Sequence, residues 1–393
     1  MRSNASSDPA RIPVVAAAFR TPVGRIGGTL AAVEPASLAV PLIRRILAET
    51  GLRPEAVDDV ILGNAANSAG NLARLAALEA GLPVRVPGMT VDRQCGSGLE
   101  AISLAARLVQ AGAGRFYLAG GTESASRAHL RFRPAAAPGK EPEPVGRARM
   151  APDAIGDPDM GIAAENVAAH AGIGRQRQDA FALESHRRAV AAGKAGRFLK
   201  EIVPVETPAG RVLRDECPRE DTSLERLAAL KPVFKPAGTV TAGNACPVND
   251  GAALVLVTSL ADAENLGLGP LLEIANSAVA GVDPNLLGLG PVPAMEKLAA
   301  RNPGLDAAKV PLIEFNEAFA SQVLASLDAL GIDAAAVNRD GGALALGHPY
   351  GASGAILVTR LFAQMRDAGA GTEALAMMGI GGGMGIAALF RKM

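Results

Sequence analysis

The chain has no tryptophan, two tyrosines and ten phenylalanines, so aromatic residues make up only 3% of its 393 positions. That scarcity removes the stacking platform on which single-stranded nucleic acids are held. Cysteine is scarce too: Cys95, Cys217 and Cys246 are too few and too scattered for a disulfide framework. A reducing compartment fits, and a cytoplasmic protein is expected. Net charge is missing as well, because 39 basic residues balance 39 acidic ones. Nothing in that balance points to nucleic acid or to an anionic membrane. No apolar run approaches the ~18 residues that span a bilayer. Met1 to Arg11 is polar and has no hydrophobic segment of signal-peptide type. The four histidines show no metal-ligand spacing with a cysteine or a carboxylate cluster, so no metal is expected.

What is present is apolar and glycine-rich. Hydrophobic residues at 49% and charged ones at 20% can build a large core, and the length suggests two or three packed units. Residues 12–19 read as a buried strand, 35–50 as an amphipathic helix stopped by Gly51, and 57–63 as a strand. A helix at 73–80, a lead-in at 90–93, a helix at 98–110 and a strand at 115–119 running into Gly120-Gly121 follow. Such alternation predicts a largely parallel sheet covered on both faces. From 123 to 249 the pattern breaks: Ser124 to Pro158 is rich in Arg, Pro and Ala, as binding loops and lids often are. Helices at 160–171 and 178–195 and a short strand at 202–205 come next. Regularity returns with strands at 252–258, 271–280, 310–315, 374–378 and 386–390, and helices at 292–301, 321–330 and 356–368. The string Gly96-Ser-Gly-Leu echoes Ala352-Ser-Gly-Ala, and each opens a helix that leads to a strand ending in glycines. A duplicated unit accounts for this: halves at 1–122 (completed by about 250–270) and 271–393, with 123–249 inserted.

Cys95 stands where a strand gives way to a helix, followed by Gly96, Ser97 and Gly98. Unpaired N–H groups and the helix dipole at such a point favour an anion, which predicts a lowered thiol pKa. His348, held between Gly347 and Pro349, has little reason to be core filler; an imidazole near a thiol can take its proton and activate it for acyl transfer. Asn316, followed by Glu317, suits holding a water or orienting His348. The glycines of 379–385 can present N–H groups to an oxyanion.

These motifs together resemble the thiolases, acyl-CoA C-acyltransferases, almost from end to end: "RTPVGRIGG", "QCGSGLEAI", "AGGTES", "MGIAAENVA", "TAGNACPVNDGAA", "NEAFA", "GGALALGHPYGASGA" and "GIGGGMG". The resemblance implies a five-layer αβαβα fold of duplicated βαβαβαββ halves with an inserted loop domain, assembled as a homodimer or homotetramer. It implies that Cys95 is the acylated nucleophile and His348 its base. Asn316 would hold a water that, with His348, forms one oxyanion hole, and the N–H groups of Cys95 and Gly381 would form the other. Coenzyme A, a substrate and not a resident cofactor, would lie near Met160, Arg219, Gly243 and Cys246, with Ala318 and Phe319 lining the pantetheine tunnel. The sequence departs from the family at Gly379, where these enzymes carry a second cysteine that moves the proton at the substrate α-carbon. Glycine cannot move a proton. Three routes follow: Cys246 substitutes as base, the second half-reaction is decarboxylative or uses another nucleophile, or the chain only binds CoA esters. Asp159, before Met160, stands where some members have histidine.

Overall fold

Eleven consecutive buried residues, Asn249–Ser259, form a strand with no solvent face, and the architecture follows from hiding both of its sides. The computed structural model describes residues 8–67 and 70–393; the polar start, Met1 to Ser7, lies outside them. In chain order the first half is β1 (Pro13–Arg20), α1 (Pro35–Thr50), β2 (Asp59–Gly63), α2 (Leu72–Glu79), β3 (Gly88–Val91), α3 (Ser97–Ala111) and β4 (Phe116–Ser124). The insertion carries α4 (Met160–Ala171), α5 (Arg175–Lys194) and two small hairpins, and β5 (Asn249–Ser259) closes the half. The second half is β6 (Leu272–Gly281), α6 (Pro291–Arg301), β7 (Leu312–Phe315), α7 (Ala320–Leu330), α8 (Tyr350–Gln364), β8 (Glu373–Ile380) and β9 (Met384–Lys392). Helix ends obey local chemistry: α1 starts on Pro35 and stops at Gly51, whose left-handed φ of 63° glycine adopts without a Cβ penalty.

The strands run in the order β7-β8-β9-β6-β1-β5-β4-β2-β3. Pairing is parallel for β2 with β3, β2 with β4 and β7 with β8, and antiparallel elsewhere on this path. The sheet is therefore mixed, not largely parallel as expected. The cause is that each half ends in a strand returning antiparallel to its predecessor, β5 after the insertion and β9 after a glycine turn. Three cores define the layers. One lies between α1, α2 and the first-half strands, one surrounds α3 and α8, and one lies between α6, α7 and the second-half strands. That is the expected αβαβα stack.

Two local expectations are corrected. β4 runs through Gly120 and Gly121 to Ser124 instead of ending before them: neither position has room for a Cβ, against β5 and against Gly351 of α8. Likewise α8 begins at Tyr350, so Gly351 to Ala355 lie inside the helix and let it touch α3. The halves differ in one respect. Between α7 and α8 the expected third strand is reduced to a single bridge, Ile313 to Val337. Asn338 takes over there, with φ of 50°: its Oδ1 accepts from Phe315 N–H at 2.7 Å and its Nδ2 donates to Phe315 C=O at 2.8 Å. One side chain thus does the pairing of a strand.

A buried ionic knot joins both halves to the insertion. Arg20, at the end of β1, meets Glu201 at 2.8 Å and Asp215 at 2.7 Å; Arg360 of α8 meets the same Glu201 at 2.7 Å and Asp340 at 2.9 Å. Both guanidinium groups also lie over the Phe198 ring. Removing one partner of such a pair strands a buried charge. Glu201→Ala is expected to lower unfolding free energy by about 3–5 kcal/mol, measured by guanidinium chloride denaturation.

Candidate active site

Cys95 lies on a tight turn between β3 and α3. Gln94 is held at φ of 48°, a left-handed conformation uncommon for a non-glycine residue, with its N–H on Asp92 Oδ1 at 2.7 Å. Ser97 locks the turn from inside, donating its hydroxyl to Gln94 C=O at 2.6 Å and accepting Arg93 N–H at 2.8 Å. The backbone N–H groups of Gly381 and of Cys95 itself favour a negative charge on the sulfur. Burial pushes the Cys95 thiol up to about 11, and Glu123 and Asp92 add to the rise. The expected lowering does not occur. Cys95 precedes Gly96, the N-cap of α3, and the charges that act on it are the carboxylates of Glu123 and Asp92, so lost hydration outweighs the two N–H groups.

His348 approaches from the second half, 2% exposed, just before α8. Its Nδ1 is 2.6 Å from Ser353 Oγ, its ring meets Tyr350 edge-on at 5.4 Å, and its Nε2 is buried without a partner among the described residues. Burial pulls the imidazole down to about 4, so it is neutral across the physiological range. Its backbone N–H donates to Asn249 Oδ1 at 2.8 Å, and Asn249 Nδ2 in turn donates to Gly24 C=O and to Cys217 Sγ. Cys217, partly exposed, thus helps hold the residue that holds His348. Asn316, 2% exposed at the end of β7, also has a buried, unpaired Nδ2. Glu317 is occupied otherwise, accepting from Ser185, Asn338 and Leu344.

Gly379 and Gly381 lie on either side of the end of β8. A Cβ at Gly379 would stand 3.3 Å from Gln322 Nε2 and 3.6 Å from Gly288 C=O, so a side chain fits after a small shift. At Gly381 the obstacle is Met150, whose sulfur, reaching in from the inserted loop, would lie 2.9 Å away. The expected CoA residues gather beside this point. Cys246 N–H donates to Ala318 C=O at 2.9 Å, Ala245 bridges Phe319, and Phe319 meets Phe234 edge-on at 6.3 Å. Phe234 lies flat against Gly161, next to Met160, and Gly243 packs on Leu227 and Leu230. Arg219 stands apart on an exposed turn, its N–H on His186 Nδ1. Asp159 pairs with Arg147 at 3.1 Å. Sequence reasoning did not find Ser353, Asn249, Gln322 or Met150. "GASGA" shows the serine one helical turn from His348, but the other three reach the site only through the tertiary fold. Among the described residues no cluster of His, Cys, Asp and Glu could hold a metal.

The model of the thiolase N-terminal domain matches residues 13–261, and that of the thiolase C-terminal domain matches 268–392. The acetyl-CoA acetyltransferase of Pseudomonas aeruginosa is 46% identical over 391 residues, covering 95% of this chain and 98% of the relative. The crystal structure of the Bacillus anthracis acetyl-CoA acetyltransferase superposes with a TM-score of 0.88 at 38% identity, covering 97% of this chain and 99% of that one. These matches make the chain an acyltransferase of the α/β class. It belongs to the thiolase family.

A neutral resting thiol has a measurable signature. The rate of Cys95 alkylation by iodoacetamide, followed by mass spectrometry, is expected to rise with pH toward a midpoint of about 11. A midpoint below that of an ordinary thiol would mean a resting ion pair instead.

Proposed function

We propose that this chain is an acetyl-CoA C-acetyltransferase that carries its acyl group as a thioester on Cys95. The observation that supports this most directly is that the backbone N–H groups of Cys95 and Gly381 both favour negative charge at the Cys95 sulfur. Donors so placed can also receive the oxygen of a thioester whose carbonyl carbon that sulfur attacks. His348, neutral and with Nε2 unpaired, takes the thiol proton as the S–C bond forms. The thioester π electrons move to the oxyanion. Collapse expels the CoA thiolate, which takes the proton back from His348. Nδ1–H donating to Ser353 Oγ keeps the Nε2 lone pair free for this. The unpaired Asn316 Nδ2 suits a water at a second oxyanion site. Coenzyme A would lie along Met160, Phe234, Phe319 and the 243–247 segment; Arg219, which stands apart from these, would serve only an outlying phosphate.

Gly379 favours keeping a second reading, in which the chain completes transfer by decarboxylative condensation, where no α-proton has to be removed. A homo-oligomer fits the outer edge of β3, which has no strand partner among the described residues and exposes Met89. No helix among the described residues is long and apolar enough to cross a membrane, and a cytoplasmic site is part of this reading.

Incubation with acetyl-CoA is expected to add one acetyl group to Cys95, detected by intact mass and peptide mapping, and Cys95→Ala to add none. His348→Ala should slow acylation by roughly 10²–10⁴-fold. The acid limb of the acylation rate should fall with a midpoint of about 4, the value for His348. No adduct with any acyl-CoA would sink the enzyme reading.

A further inference from the structure

The position without a second cysteine faces Gln322, a side-chain amide with no partner at either end among the described residues. Gln322, in the first turn of α7, is 3% exposed, and neither its Nε2 nor its Oε1 is hydrogen-bonded. It reaches this place because Gly288 and Gly379 both lack side chains; a Cβ on Gly288 would stand 2.6 Å from Gln322 Cγ. Nε2 is 3.3 Å, and Gly288 C=O 3.6 Å, from the point where a Cβ of residue 379 would be. That point is bordered by one donor, Gln322 Nε2, and one acceptor, Gly288 C=O, which also takes the Ser326 hydroxyl; such polar groups suit a water and not an apolar void. An amide buried without partners is costly unless something binds it.

We propose that Gln322 holds a water beside Gly379, and that this water relays the substrate α-carbon proton to and from His348 in place of a thiol. The inference rests on the acyl-enzyme reading above and supplies its second half-reaction. Gln322 is a positioning residue, since an amide is itself too weak a base, whereas water can accept and donate in one step. The relay ends on His348 Nε2, a buried atom likewise without a partner. In condensation the C–H bond at the acetyl-CoA methyl carbon breaks and its proton passes to the water oxygen. A water proton passes to Nε2 in the same step. The C–H electron pair forms the new bond to the acyl carbonyl carbon, the bond from that carbon to the Cys95 sulfur breaks, and the sulfur takes the proton from His348. Water, imidazole and thiol are all restored, so no outside acid or base is required. Cys246 is a poorer candidate: burial pushes its thiol further up than that of Cys95.

The test uses the full chain with acetyl-CoA in D₂O and reads two quantities, deuterium at the acetyl methyl carbon and acylation of Cys95. The wild type is expected to do both. Gln322→Leu, close in volume but without polar atoms, should lose at least about 100-fold in deuterium exchange while Cys95 acylation stays within a few-fold, which also shows that the site is folded. Adding Gly379→Cys to Gln322→Leu should restore exchange, because a thiol then stands where the water stood. Acylation without exchange in the wild type overturns the relay alone. So does unchanged exchange in Gln322→Leu, or a loss that Gly379→Cys does not repair. Failure of Cys95 to acylate overturns both the relay and the reading beneath it.

Discussion

Everything at the site depends on how closely two helices from opposite halves are allowed to approach. α3 and α8 meet backbone to backbone. A Cβ on Gly98 would stand 2.6 Å from Gly351 C=O, and one on Gly354 would stand 2.5 Å from Leu99 N. Gly63 and Gly121 press on the same junction from the strands, and Glu123 fastens it by accepting the N–H groups of Ala65, Ala66 and Gly351. Close approach at five glycines brings two helix beginnings together, and with them a thiol from one half and an imidazole from the other. Cores packed to crystal density transmit any added methyl group. The small residues that appear in the sequence as turn makers are spacing elements between helices.

That dense packing also sets the electrostatics. A helix N-terminus stabilises an anion by about 0.3–1 kcal/mol when exposed, whereas burial of a thiolate with nearby carboxylates acts in the other direction and is larger here. Thiol and imidazole therefore rest uncharged. A neutral pair keeps the desolvated site free of stranded charge until a thioester arrives, and the N–H groups of Cys95 and Gly381 then act on charge that develops during the reaction.

Much of this was legible in the residues. Strand and helix alternation, and the thiolase family carried by the motifs around Cys95, Asn316, His348 and Gly381, follow from periodicity, glycine placement and motif order. Less accessible was anything that depends on a distant partner. β4 and α8 extend past the glycines because each is contacted by the other, and strand direction is set by a chain reversal more than a hundred residues away. Gln322 sits in an ordinary helical pattern, and only the absence of side chains at Gly288 and Gly379 makes its amide unusual. Arg20, Glu201 and Arg360 are far apart in the chain, and no local signal marks them as one knot. The Cys95 titration runs against its place in the sequence, because a helix N-terminus shows there and the depth of burial does not.

The Asn338 side chain has a consequence at the scale of assemblies. By satisfying Phe315 on both its N–H and its C=O, it seals one end of the long sheet, while the other end, at β3, stays open. A sheet open at both ends can recruit copies without limit. With one end sealed, strand addition from outside has, among the described residues, one end of this sheet to use and not two.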